Sequence, residues 1–189
     1  MLIVALGDSL TAGYIDPIRR MPYTKILEEL LRREMGVEAT VINAGIPGDT
    51  TMGMLRRLKA DVLTHMADYA IIWGGINDLC QGHRPRDVVT NLLEIYRRCR
   101  GGGVAPIGCL LTPTGIENLN RVVAETNELL RIHCVEEGVP IADLYSPLID
   151  DSGLLAVEYS SDGVHLNPAG YRAVAEVLYD VLKALIGGG

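Results

Sequence analysis

Apolar positions along the chain switch repeatedly between two spacings, and each switch marks an element. Residues 2–6 are an unbroken apolar run that stops at Gly7 and two small polar residues, Asp8 and Ser9. A β-branched run of this length bounded by glycine reads as a buried strand. Pro22 then opens a stretch in which Ile26, Leu27, Leu30 and Leu31 share one face, with Glu28, Glu29, Arg32 and Arg33 opposite, until Gly36 ends it. This is an amphipathic helix. Residues 37–43 read as a second strand, and Asp49 or Thr50 can cap a helix to about residue 63 with Leu55, Leu58 and Val62 inward. Residues 69–73 form a third strand, and 85–99 a helix with Val88, Leu92, Ile95 and Tyr96 on one side. A fourth strand at 104–111 leads to a long helix at 117–137 that offers Val122, Val123, Leu129, Leu130 and Ile132 for burial. A short strand at 139–142 and a helix at 168–185 complete the series, leaving 187–189 as a frayed end.

Strand alternating with helix predicts an α/β fold, a three-layer sandwich of five parallel strands covered by helices on both faces. A length of 189 residues suits one domain spanning 1–189 around one core. The 48% apolar and 22% charged residues are a soluble balance, and no apolar run approaches the roughly 18 residues of a membrane span. Met1 runs straight into the first strand with no basic leader, which predicts a cytoplasmic protein. Cys80, Cys99, Cys109 and Cys134 are scattered without metal-ligand spacing, so free thiols and no metal are expected. The formal charge is −7, and the pairs Arg32-Arg33, Arg56-Arg57 and Arg97-Arg98 fall within helical patterns and read as solvated faces. Nucleic acid is therefore not expected as a partner. Gly101-Gly102-Gly103 precedes a strand and is followed by no Gly-Lys-Ser/Thr, so it is not a phosphate loop.

Ser9 stands at the carboxyl end of the first strand, where open α/β sheets bind ligands. A serine hydroxyl becomes a nucleophile only beside a base that takes its proton, itself held by a third group. His165 is the candidate base, because it lies in a polar turn before the last helix and Asp162, three residues earlier, can reach its other ring nitrogen. A lone histidine is more often a cap or core residue; the Asp-x-x-His context weighs against that here. His65 and His133 lie within helical stretches, and His83 has no obvious carboxylate partner.

Four stretches, Gly7-Asp8-Ser9-Leu10, Asn43 to Asp49, Gly74-Gly75-Ile76-Asn77-Asp78 and Asp162-Gly163-Val164-His165, resemble in order and spacing the motif blocks of the GDSL esterase/lipases, or SGNH hydrolases. The resemblance runs from Ile3 to about Tyr171. It implies the flavodoxin-like strand order 2-1-3-4-5, which gathers the loops after the first three strands at one edge. It also implies a Ser9, His165, Asp162 triad, an oxyanion hole made by the N–H of Ser9, the N–H of Gly48 and the amide of Asn77, and no cofactor or metal. The residues alone leave other readings open. Gly48 serves equally as a turn glycine after Pro47, Gly45 competes with it, and Asn77-Asp78 fits an Asx turn or a helix cap. Asp8 reads as a supporting residue that ties down loop N–H groups. Leu166 stands where many relatives carry proline, and the connection 112–115 is short.

The function these features predict is a serine esterase acting on small-molecule carboxylic esters of short to medium acyl chains through an acyl-enzyme, with thioesters or lysophospholipids in range. A carbohydrate O-acetylesterase ranks behind it: there is no Phe and one Trp, while Leu10, Ile46, Met52, Met54, Ile76 and Leu79 are expected to surround the motifs with aliphatic surface. Tyr14, Tyr23 and Tyr159 are the aromatics able to line the cleft. From another class, a non-catalytic ligand-binding module on a flavodoxin-like scaffold would call for G-x-G-x-x-G or Gly-Lys-Ser/Thr after the first strand, and neither is present. The oligomeric state is not legible.

Overall fold

The computed structural model describes residues 1–188. In chain order the elements are β1 (Leu2–Gly7), α1 (Tyr23–Met35), β2 (Thr40–Gly45), α2 (Thr51–Asp61), β3 (Tyr69–Trp73), α3 (Ile76–Cys80), α4 (Pro85–Gly101), β4 (Ala105–Cys109), α5 (Glu117–Glu137), β5 (Ile141–Ala142) and α6 (Pro168–Gly187). The sheet is parallel throughout, in the order β2-β1-β3-β4-β5. Gly7 at the end of β1 lies opposite Gly45 of β2 and Trp73 of β3, so the three strands finish level with one another. Helix α1 pairs with α6, and α4 packs between α2 and α5, giving a helical layer on each face. Ile3 to Leu6, Ala70 to Trp73 and Ile107 are fully buried or nearly so, which is why these strands are continuous apolar runs with no alternation.

Several boundaries differ from the sequence reading for identifiable reasons. β2 begins at Thr40, not 37, because Gly36 in the left-handed region and Val37 donate their N–H groups to Arg32 O and Leu31 O and finish α1. β4 stops at Cys109, and the N–H of Leu111 donates instead to Asn127 Oδ1 of α5. Helix α3 is too short to leave a periodic signature. Ile132, expected inside, is 46% exposed on α5. Helix α6 continues to Gly187, so that residue is not a frayed end; Gly189 lies outside the described residues. Among the described residues no helix is long and apolar enough to cross a membrane.

The end of β1 is packed too tightly to admit a side chain. A Cβ on Gly7 would fall inside the van der Waals radii of Thr11 Oγ1 and the Trp73 carbonyl oxygen. Gly7→Ala should therefore cost about 1 to 3 kcal/mol through overpacking. Gly101→Ala, at a helical position where the new methyl meets nothing, should be neutral or mildly stabilising. Urea midpoints of the two variants check this contrast, and equal midpoints would contradict it.

Candidate active site

Ser9 sits in the turn that follows β1. Asp8 Oδ1 accepts the N–H of Leu10 at 2.9 Å, and the carbonyls of Asp8 and Ser9 accept the N–H groups of Ala12 and Tyr14. The turn is thus closed by its own backbone, and Ser9 is 8% exposed with its hydroxyl facing the loop ahead of α6. Its Oγ lies 3.2 Å from Nε2 of His165, across 156 positions of sequence. Nδ1 of the same ring lies 2.8 Å from Asp162 Oδ2. Asp162 Oδ1 accepts the N–H groups of Val164 and His165, at 2.9 and 2.7 Å. Partial burial works to raise the Asp162 pKa, but the His165 ring and these two N–H donors outweigh it and hold the carboxyl below its ordinary range. A neutral imidazole protonated on Nδ1 would donate to Asp162 and accept from the Ser9 hydroxyl.

A residue that sequence reasoning passed over holds this loop. Ser160 Oγ donates to the His165 carbonyl at 2.6 Å and accepts the N–H of Gly163 at 3.0 Å. Gly115, from the short 112–115 connection, donates its N–H to Gly163 O at 2.7 Å. Leu166 is buried, and Asn167 caps α6 through the N–H groups of Ala169 and Gly170.

Opposite, residues 46–49 form a turn in which the N–H of Asp49 donates to Ile46 O, Pro47 occupies the second place and Gly48 the third with φ +80°. That is the type II arrangement, which needs glycine at the third place. The N–H of Gly48 has no acceptor among the described residues, whereas Gly45 donates its N–H to Asn43 Oδ1 at 3.0 Å. Asn77, in the first turn of α3, does not cap its helix: Nδ2 donates to Asp49 O at 2.8 Å and makes a long 3.4 Å contact with Asp8 Oδ2. Asp78 accepts from the N–H and Oγ1 of Thr51, fastening α3 to the start of α2.

Arg57 corrects the expectation that Arg56-Arg57 is a solvated pair. Its side chain is 15% exposed and donates to Gly7 O, Ala44 O, Asp49 Oδ2 and Asp61 Oδ2 at 2.7 to 2.8 Å. The expected aliphatic surface also shrinks. Leu10, Met54, Ile76 and Leu79 are buried in the core, leaving Ile46 and Met52 exposed. Tyr23 packs edge-on against Trp73 inside the core, and Tyr14 lies against His165. His65 and His83 are exposed, and His133 pairs with Glu136 on α5. Among the described residues no three His, Cys, Asp or Glu side chains are grouped to hold a metal ion.

Asp8 is fully buried, and that burial pushes its pKa up from 3.8 to about 7; the Leu10 N–H opposes the rise, while Asp49 and Asp78 add to it. Between these two values the folded chain holds a proton that the unfolded chain has lost, so Asp8 makes stability fall as pH rises from about 4 to about 7. Asp8→Asn, neutral throughout, should gain stability relative to the parent across that window. Urea unfolding of both proteins at pH 4, 5.5 and 7 measures the difference, and one that stays constant contradicts it.

The GDSL-like lipase/acylhydrolase family model matches residues 5–173, a span that includes Ser9, Gly48, Asn77 and His165. An arylesterase of Vibrio mimicus is 37% identical over 101 residues, 53% of this chain and 50% of that protein. The thioesterase 1/protease 1/lysophospholipase L1 of Escherichia coli K12 is 30% identical over 105 residues, 56% of this chain and 48% of that protein. The matched region thus spans about half the length of these curated relatives. The crystal structure of the lipase/acylhydrolase from Enterococcus faecalis aligns with a TM-score of 0.85 at 25% identity, covering 97% of this chain and 96% of that one. By the extent of the family match, the chain belongs to the GDSL-like lipase/acylhydrolase family.

Proposed function

We propose that the protein is a carboxylic ester hydrolase of one catalytic domain, working through an acyl-enzyme on Ser9. The observation that carries this reading is the continuous line from Ser9 Oγ through the His165 ring to Asp162, assembled from the two ends of the chain. As Ser9 Oγ attacks the ester carbonyl carbon, its proton passes to His165 Nε2 and the carbonyl electron pair moves onto oxygen. Collapse of that intermediate expels the alkoxide, which takes the proton from Nε2. Water then repeats the sequence on the acyl-serine and releases the carboxylic acid. Asp162 orients the ring and stabilises its charged form.

The developing oxyanion calls for fixed donors. The N–H of Gly48 is unpaired among the described residues, and that of Ser9 is in the same condition. Of the two Asn77 amide hydrogens, one is engaged by Asp49 O and the other has only the long contact with Asp8, so the second is free to turn to a stronger acceptor. Of the apolar side chains near the motifs, Ile46 and Met52 are exposed and available to an aliphatic acyl or alcohol group, which supports esters of short to medium acyl chains. The Escherichia coli relative is named for thioesterase and lysophospholipase activity, which brings thioesters and lysophospholipids into the same range. Four unpaired cysteines suit a reducing compartment, which supports a cytoplasmic location.

Ser9→Ala and His165→Ala should each lower kcat on p-nitrophenyl acetate by at least about a thousandfold, with the double variant no worse, because the members of a triad act as a unit. A fluorophosphonate should label Ser9 in the parent. Absence of labelling in folded protein, with no ester turnover, would favour the binding-module reading.

Asn77→Ala should lower kcat about a hundred- to a thousandfold with little change in KM, since its bond strengthens only as charge develops. Loss of the Asp49 bond should cost about 1 kcal/mol of stability. A lowered urea midpoint with kcat unchanged would remove Asn77 from the oxyanion site.

A further inference from the structure

The two hydrogen bonds of His165 leave one freedom weakly restrained. They engage the two ring nitrogens, Nδ1 with Asp162 and Nε2 with Ser9, and the N–H or lone pair of a ring nitrogen points along the plane of the ring. Such bonds resist only weakly a tilt of the imidazole about its Cβ–Cγ bond, which carries the nitrogens out of that plane. The tilt matters because it swings Nε2 and its lone pair off the Ser9 proton, and errors of about 1 Å at a reacting pair cost on the order of a hundredfold in rate.

Something must therefore press on a face of the ring, and Tyr14 is in place to do it. The Tyr14 and His165 rings lie 4.5 Å apart at 50°, a tilted aromatic contact. Tyr14 is itself held from several directions. Its N–H donates to Ser9 O at 3.0 Å, and its carbonyl accepts the hydroxyl of Tyr171, a buried residue of α6, at 2.7 Å. The Arg20 guanidinium lies 4.4 Å from the Tyr14 ring centroid, and Arg20 Nη1 donates back to Asp16 O and Arg19 O. Cation and ring fix one another across the loop. Because the Tyr14 backbone is bonded to that of Ser9, the residue that packs on the base is carried by the nucleophile's own turn. The Tyr14 hydroxyl makes no hydrogen bond among the described residues, so the ring alone performs the contact.

We propose that Tyr14 is a positioning residue for His165: its ring, braced by Arg20 and anchored to Ser9 and Tyr171, holds the imidazole at the tilt about Cβ–Cγ in which Nε2 faces Ser9 Oγ. This rests on the reading of His165 as the general base.

Steady-state hydrolysis of p-nitrophenyl acetate by the parent, Tyr14→Phe, Tyr14→Leu, His165→Ala and the double variant Tyr14→Leu/His165→Ala tests it. Tyr14→Phe should keep kcat within about threefold, since the hydroxyl is not used. Tyr14→Leu should lower kcat about tenfold to a hundredfold with KM changed less than about threefold. In the His165→Ala background the same substitution should lower residual turnover no further, because Tyr14 acts only through the ring. Should Tyr14→Leu lose its cooperative unfolding transition, Tyr14→Met is judged by the same outcomes. A kcat within threefold of the parent for Tyr14→Leu, or an equal loss with and without His165, overturns the proposal. An active His165→Ala protein overturns the general-base reading itself, a result distinct from an inactive His165→Ala beside a fully active Tyr14→Leu.

Discussion

The carboxyl edge of the sheet depends on one guanidinium. Arg57, on α2, donates to the carbonyls that end β1 and β2 and to the carboxylate of Asp49, which heads the same helix. Arginine suits this place because its planar fork offers several donors in fixed directions and stays charged even when little water reaches it. Without it the carbonyls of Gly7 and Ala44 would lose these donors and Asp49 its counter-ion, at a position where Asp49 is only 13% exposed. Through this contact the turn carrying Ser9 and the turn carrying Gly48 share one support, although about forty residues of sequence separate them.

The two halves of the site are built differently. Ser9, Gly48 and Asn77 follow three strands that are hydrogen-bonded neighbours, so their spacing is inherited from the sheet. Asp162 and His165 belong to a loop with no strand of its own. It is fixed by small polar contacts: the Ser160 hydroxyl, the Gly163 to Gly115 backbone bond and the capped start of α6. The sheet edge and the loop therefore owe their geometry to different kinds of contact. The two carboxylates next to the proposed catalytic side chains reflect the same division. Asp8, inside the rigid half, has its pKa raised by burial, while Asp162, in the open half, has its pKa lowered by hydrogen bonds despite partial burial.

Much of this was legible in the residues. Periodicity located every strand and every long helix, because apolar spacing reports directly which faces must leave water. The boundaries it missed were decided by competing hydrogen bonds, as at Val37 and Leu111, where a cap or a side-chain acceptor takes an N–H that the sheet would otherwise use. Ser9 was singled out by its place after the first apolar run and His165 with Asp162 by their shared polar turn, whereas Gly48 and Asn77 were chosen on the resemblance to the GDSL esterase/lipases, because the residues alone fit turns and caps as well.

Contacts between residues far apart in sequence were not legible. Arg57 looked like a surface charge because a helical pattern reveals a face but not what packs on it, and only the folded chain brings the carbonyls of Gly7 and Ala44 within its reach. Leu10, Met54, Ile76 and Leu79 looked like cleft lining for the same reason: their nearness to the motifs in sequence says nothing about which side of the backbone they take. Ser160 and Tyr14 carry no motif, and their importance comes wholly from the partner each one meets. The sequence by itself determined the elements and the chemical groups, because these follow from local spacing. The tertiary structure decided which groups are buried, paired and aimed, because those properties belong to distances across the fold.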